Sequence, residues 1–445
     1  MKLKPYSKYK DSGVQWSKEV PKNWKVNKMK FLLETPVTDG PHETPEFIDE
    51  GIPFLSVDSI QNGEIIFEDT RFISKEDHIR YKVKCDPKRA DVFMGKAASI
   101  GKIARVKVDF PFSIWSPLAL LRVNKKIKAE FFEYALKSDY SQDQIDNFST
   151  SNTQKNISMD DIPRIQIIFP EDSTEQTQLV SFLDSKTSQL DQTIEKDKQL
   201  IELLKEKRTA LINHVVTKGL NKTAKMKNSR IDWIGEIPEM WEVRKLNHCF
   251  DLIGSGTTPS SSDESYYALD EEKGTPWVNT GDLNDSYLKE PSKKVTKKAI
   301  VECSALKLYP ENSLVIAMYG ATIGKTSIVD FKATYNQACC VLNKSKNLEI
   351  RYAHYWFIAK KKDIIALSYG GGQPNISQDV VKKLSITVPP KSIQLQIVQY
   401  IDKETSNIDQ IIKKIEEKIN LMEEYKKSLI HHVVTGKVDV REAVA

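Results

Sequence analysis

From residue 176 to residue 217, apolar side chains recur at alternating steps of three and four. The seam is Leu183, Thr187, Leu190, Ile194, Asp197, Ile201, Leu204, Arg208, Leu211 and Val215. This is heptad spacing held over several heptads, which predicts one long helix with a coiled-coil face. The chain carries the pattern twice. Residues 394–435 align with it without a gap, with nearly half the positions identical, and their seam is Ile401, Thr405, Ile408, Ile412, Ile415, Ile419, Met422, Lys426, Leu429 and Val433. Thr recurs at one seam position and Arg or Lys at another. Polar seam residues lower stability but fix register. Ser173 and Gln176 have the spacing of a capping box at the start of the first helix. Pro389 and Pro390 stand just outside the second, where a missing N–H costs nothing. At 1.5 Å per residue each helix is roughly 60 Å long.

The repeat extends beyond the helices. Lys10, Ser12, Trp16, Glu19, Pro21, Trp24 and Val26 recur with identical spacing as Lys227, Ser229, Trp233, Glu236, Pro238, Trp241 and Val243. The paired tryptophans read as packing anchors. Between this segment and the helix, each copy has short apolar runs broken by Gly, Asn, Asp and Pro, which predicts a β-rich domain. Gly51-Ile-Pro53-Phe54 parallels Gly274-Thr-Pro276-Trp277, and Ile100-Gly101-Lys102 parallels Ile323-Gly324-Lys325. Gln154-x-Asn156-Ile-Ser recurs as Gln373-x-Asn375-Ile-Ser.

The expected fold class is α+β, built from two repeated units, each a β-rich mixed domain followed by a long helix. The boundaries are a first domain over 1–172, the first long helix over 173–217 and a basic linker over 218–226. A second domain then covers 227–388, the second long helix 389–435 and a tail 436–445. Two matching seams predict that the helices pair as an antiparallel coiled coil about a pseudo-twofold axis, with one domain at each end. The alternative is that each helix folds back on its own domain.

Composition changes this picture little. The length of 445 residues suits two to three domains, and 40% hydrophobic with 29% charged residues is ordinary for a soluble protein. No apolar run has the length of a membrane span, and no apolar segment follows the basic N-terminus, so a cytoplasmic protein without a membrane partner is expected. The five cysteines include no CxxC, which points to a reducing compartment and no structural zinc. A net charge of +5 is too small to argue for nucleic acid by itself.

The sharpest enzyme-like motif is Gly320-Ala-Thr-Ile-Gly324-Lys325-Thr326. It is one residue short of a phosphate-binding loop, and the sister unit has Ile103 where the magnesium-binding hydroxyl belongs. A tight turn presenting Lys325 and Lys102 to a polyanion fits better. Gly370-Gly371-Gly372 lacks dinucleotide-binding spacing. His214 and His432 recur only as helix-end residues, and no metal or nucleophile motif is found. The chain reads as non-catalytic, with no metal and no cofactor of its own. Two similar domains on a fixed spacer suit a target with two separated elements, such as double-stranded DNA. Polar loop residues are the ones that read base edges and hold phosphates. The candidates are Lys96, Ser99, Lys102 and Arg105 in the first unit, and Asn279, Thr280, Asp282, Thr322, Lys325, Gln373 and Asn375 in the second. The rival readings are a coiled-coil scaffold whose domains bind protein, and a P-loop enzyme.

With these motifs in view, the chain resembles the specificity subunits of type I restriction-modification systems. The segments carrying the resemblance are KDSGVQWSKEVPKNW and KNSRIDWIGEIPEMW, VNTGDL, YGATIGK, YNQACCVL and QPNIS, with the helix ends INHVVTKG and IHHVVTGK. The resemblance implies two target-recognition domains, each reading one half of a bipartite, asymmetric DNA sequence. It implies that the paired helices set the spacing and dock two methyltransferase subunits, with restriction and translocase subunits joining for cleavage. S-adenosylmethionine, ATP and magnesium would belong to those partners. The first unit departs from the pattern, with Phe112-Ser-Ile-Trp115-Ser-Pro117 where the second has YNQACCVL.

Overall fold

A computed structural model describes residues 4–14, 17–151, 155–268, 274–368 and 375–443. The chain divides into two compact units that do not follow the linear boundaries. Residues 1–197 and 416–445 form the first, and residues 198–415 form the second. Each unit therefore holds one β-rich domain, part of the first long helix (Ser173–Lys218) and part of the second (Lys391–Val434).

In the first unit, a four-stranded sheet runs in the order Ile103–Arg105, Val92–Gly95, Leu118–Leu121, Thr38–Asp39, all antiparallel. A smaller sheet places Ile52–Leu55 between antiparallel Arg71–Ile73 and parallel Ser113–Ile114. The helices Ala129–Lys137 and Asp139–Phe148 follow. The strand Gln166–Pro170 then pairs with Trp24–Lys28 and leads into the long helix. The main core gathers Trp24, Phe131, Phe132, Ile167 and Phe169, together with Leu179 and Leu183 of the first long helix and Leu429 and Val433 of the second. Each such aliphatic side chain, fully buried, contributes about 1.5–3 kcal/mol.

The second unit repeats this plan. Its larger sheet runs Phe250–Gly254, Cys339–Ser345, Ser313–Ala317, Thr326–Val329, with Tyr287–Leu288 added in parallel at the edge. Its smaller sheet sets Thr275–Val278 between Lys293–Val295 and parallel Thr334–Tyr335. The core joins Trp241, Tyr352, Trp356 and Ile386 to Val215 and Val216 of the first helix and Ile397 and Ile401 of the second. Gly40 and Gly256 mark corresponding close approaches. A Cβ on either would meet a strand carbonyl, that of Ile114 at 1.8 Å or of Tyr335 at 1.7 Å.

The helices are antiparallel within each unit. Lys418 pairs with Asp197 and Lys426 with Asp191 in the first, and Arg208 pairs with Asp409 in the second. None of the seam positions is exposed: Leu183, Ile194, Ile201, Ile401, Ile408, Ile419 and Leu429 are buried, while Leu190, Leu204, Leu211, Ile412, Ile415 and Met422 are half-buried. Each helix ends on a glycine with positive φ, Gly219 at +74° and Gly436 at +71°. These glycines pack beside Trp241 and Trp24 respectively, so both tryptophans serve as anchors under a helix end. Trp16 lies outside the described residues.

The capping-box expectation needs correction. The N–H of Thr174 donates to the Asp172 carboxylate at 2.8 Å and that of Gln176 to the Asp172 carbonyl at 3.1 Å, so Asp172 caps the helix. The Gln176 amide instead donates to the carbonyls of Pro170 and Lys126 and accepts from the N–H of Lys128. Gln394 does the same with Pro389, Asn347 and Glu349. Both amides are buried and tie a helix start to the domain beside it.

Candidate nucleic-acid interface

Two hairpin turns correspond between the units. In the first, the N–H of Gly95 donates to the Lys102 carbonyl at 2.8 Å, and that of Gly101 donates back to Gly95 at 2.9 Å. In the second, Ala317 bonds Lys325 and Gly324 bonds Ala317 at the same distances. Gly101 and Gly324 have φ of +76° and +75°, a conformation glycine adopts without strain. Each turn is braced by a bridge from the Asn-Ile-Ser segment, Ala97 to Asn156 and Tyr319 to Asn375. The second turn is one residue longer. Its other positive φ falls at Gly320, four residues before Gly324, whereas that of the first falls at Ala98, three before Gly101. Ser99, Lys102, Thr322 and Lys325 are half-exposed on these turns and Asn375 is exposed beside the second. The Lys102 ammonium lies 3.4 Å from the Val57 carbonyl.

The phosphate-loop likeness is local. Gly320–Thr322 is a single tight turn, and Thr326 begins a strand instead of a helix. Without a helix N-terminus there is no aligned set of N–H groups for phosphates. Thr326 is buried, with its hydroxyl 3.2 Å from His354 Nδ1.

Lys96 and Arg105 are held inside the first unit. Lys96 corresponds to the buried Met318 and is itself buried, its ammonium 3.1 Å from Asp39. Burial raises the Asp39 pKa, but hydrogen bonds from Lys84 and Lys96 hold it below the usual carboxylate range. Arg105 Nε donates to Glu133 at 3.0 Å, and its guanidinium also lies 3.3 Å from Glu130.

Asn279 and Asp282 form a turn. The Asn279 side chain accepts from the N–H of Gly281 at 2.8 Å, and Asp282 accepts from the N–H of Asn279 at 2.9 Å and of Ser292 at 3.0 Å. Ser56 and Ser59 make the corresponding reciprocal cap in the first unit. Thr280 sits half-exposed within the turn. Gln373 lies outside the described residues, as do Gln154 and the run Gly370-Gly371-Gly372. Two exposed cations near these turns, Arg71 and Lys293, belong to no motif singled out from the sequence. Their signal is the Gly-x-Pro-aromatic repeat, because each pairs across the sheet with its aromatic residue, Phe54 or Trp277.

Among the described residues no group of His, Cys, Asp and Glu is arranged to hold a metal ion, and no helix is long and apolar enough to cross a membrane. Burial raises the thiol pKa of Cys340 to about 12, which leaves it a poor nucleophile.

A family model described as the type I restriction modification DNA specificity domain matches residues 21–206 and again 238–421. The chain belongs to this family. The chain is similar to the type I restriction enzyme StySPI specificity subunit of Salmonella potsdam, with 22% identity over 397 residues, covering 88% of this chain and 83% of that protein. The MjaIX specificity subunit of Methanocaldococcus jannaschii is 27% identical over 169 residues, a match spanning 37% of this chain and 38% of that protein. A solved structure described as "Structural basis underlying complex assembly and conformational transition of the type I R-M system" shares the fold. Its TM-score is 0.72 at 14% identity, covering 94% of this chain and 99% of that one. The chain is thus a DNA sequence-specificity component rather than a catalytic one, with the expected repeated α+β architecture. The scaffold and P-loop enzyme readings are not favoured.

Proposed function

We propose that this chain directs a type I restriction-modification complex to a bipartite, asymmetric DNA sequence, with one half read by each domain. One observation carries the reading: the same backbone frame occurs twice with different side chains at corresponding places. Ser56 and Ser59 stand where the second unit has Asn279 and Asp282, and the second hairpin turn is one residue longer. A shared frame with divergent loops suits two readers of unlike sequence. The half-exposed and exposed turn residues Ser99, Lys102, Thr280, Thr322, Lys325 and Asn375 are proposed DNA contacts.

Two methyltransferase subunits are proposed to dock on the long helices, with restriction and translocase subunits joining them. S-adenosylmethionine, ATP and magnesium belong to those partners in this reading. The test exchanges residues 245–388 for the corresponding segment of another specificity subunit and sequences the methylated sites. One half of the methylated sequence should change and the other should stay. A change in both halves would reject the assignment of one domain to one half.

A further inference from the structure

The smaller sheet of each domain carries a cation on an aromatic platform at the same place. In the first, the Arg71 guanidinium lies 4.7 Å over the Phe47 ring, and Phe47 packs 6.0 Å from Phe54. In the second, the Lys293 ammonium lies 5.8 Å over Tyr267, and Tyr267 packs 5.9 Å from Trp277. The positions correspond strand by strand. Arg71 is directly opposite Phe54 and Lys293 directly opposite Trp277, while Phe72 bridges Ile48 as Lys294 bridges Ala268. The second platform is fixed further, because Tyr267 donates to the Pro259 carbonyl at 2.7 Å and Trp277 to that of Thr257 at 3.2 Å.

Nearby cations over tyrosines are neutralised: Arg80 by Glu43 and Asp77, and Lys298 by Asp263. Among the described residues neither Arg71 nor Lys293 has a carboxylate at ion-pair distance, and both are exposed. Each stands at an open cleft. The first cleft, of about 580 Å³, has Phe47, Arg71 and Trp115 in its lining together with the carboxylates Asp58, Glu68 and Asp69. The second, of about 480 Å³, is lined by Asp282, Glu290, Pro291, Ser292, Lys293 and Lys294, and Glu290 lies 3.6 Å from the Lys294 ammonium.

We propose that Arg71 and Lys293 are the equivalent DNA-reading cations of the two domains, each held on its aromatic platform and directed into its cleft. The inference rests on the DNA-recognition reading above. A guanidinium stacked on a ring keeps its plane fixed and its outer N–H groups open, which suits the paired O6 and N7 acceptors of guanine. Lys293 makes a single-point contact, so the two domains differ in chemistry at a place where their frames agree.

The test uses the full chain assembled with its methyltransferase partner and a pool of duplexes of randomised sequence. The complexes compared are wild type, Arg71→Ala, Arg71→Lys and Lys293→Ala, each with its thermal melt recorded to confirm an intact fold. Arg71→Ala should lose guanine preference at one position of one half-site, with affinity for the wild-type site falling on the order of tenfold. Lys293→Ala should weaken selection in the other half only. Arg71→Lys should keep the charge without restoring the guanine preference. Unchanged selection and affinity in both alanine variants would overturn the proposal, as would a uniform loss with selection intact. If the wild-type complex selects no sequence, the recognition reading itself fails.

Discussion

The Lys426 ammonium donates to both carboxylate oxygens of Asp191 at 2.6 Å, joining the two long helices. Arg208 and Asp409 make the corresponding pair in the other unit, with Nε 3.4 Å from the carboxylate. Lys418 and Asp197 form another pair at 2.8 Å that has no counterpart, because Ile415 occupies the position corresponding to Asp197. The charged seam residues Asp197, Arg208 and Lys426 thus pair across the helices, which suits a role in fixing register, whereas the Thr187 and Thr405 hydroxyls donate to the Leu183 and Ile401 carbonyls of their own helices.

Replacing Asp197 with Ile should stabilise the first unit. Asp197 is buried between the seam residues Ile194 and Ile201, and Lys418 is exposed enough to remain hydrated without it. Exchanging a buried charge for a packed aliphatic is often neutral or stabilising, here by about 1 kcal/mol. Lys426→Ala should cost less than about 1 kcal/mol, because Asp191 is largely exposed and solvent screens the pair. Thermal melts of both variants decide the matter. A lowered Tm for Asp197→Ile would show that the charge stabilises rather than specifies.

Gln176→Ala should be far more costly than either. It leaves the Pro170 and Lys126 carbonyls and the Lys128 N–H without their partner, a loss of about 2–3 kcal/mol. Gln394→Ala should do the same in the second unit. Hydrogen exchange should show protection lost in the unit that carries the substitution. Wild-type protection in both variants would mean that water replaces the amides at no cost.

The helices were legible because their seams repeat every seven residues and recur position by position. The candidate site was legible only in part, for physical reasons. Asn279 and Asp282 have the residue types of base readers, yet the same short polar side chains close turns, and local hydrogen bonds claim them. Lys96 looks like a loop lysine because its counterion, Asp39, comes from a distant strand. The sequence does not single out Arg71 for the converse reason, because its partner ring, Phe47, is brought to it only by sheet pairing.

Acid should weaken the second unit through His354. Burial drives the His354 pKa down to about 4, with nearby Asp285 opposing that shift. The unfolded chain titrates near the ordinary value of 6.5. Between about 6.5 and about 4 the unfolded state therefore binds a proton that the folded state refuses, and stability falls as pH falls. The slope approaches about 1.4 kcal/mol per pH unit, and no contribution remains above the unfolded value. Unfolding curves of wild type and His354→Gln over that window should differ in slope. Identical slopes would show that His354 takes up its proton without unfolding.

Leu203 and Leu421 occupy corresponding positions on the two helices and are 62% and 65% exposed. One falls in each unit, in a setting of charged residues where no packing requirement calls for leucine. A large apolar side chain repeated on two equivalent exposed surfaces suits two copies of one partner, here the proposed methyltransferase subunits. Leu203→Asp and Leu421→Asp should each leave the melt of the free chain within about 0.5 kcal/mol of wild type, as exposed helix substitutions do. A buried apolar anchor converted to a carboxylate at an interface centre loses about 2 kcal/mol or more of binding. Each single variant should therefore assemble with one methyltransferase subunit and the double variant with none, read by native mass spectrometry. Full assembly of the double variant would place the docking surface elsewhere on the chain.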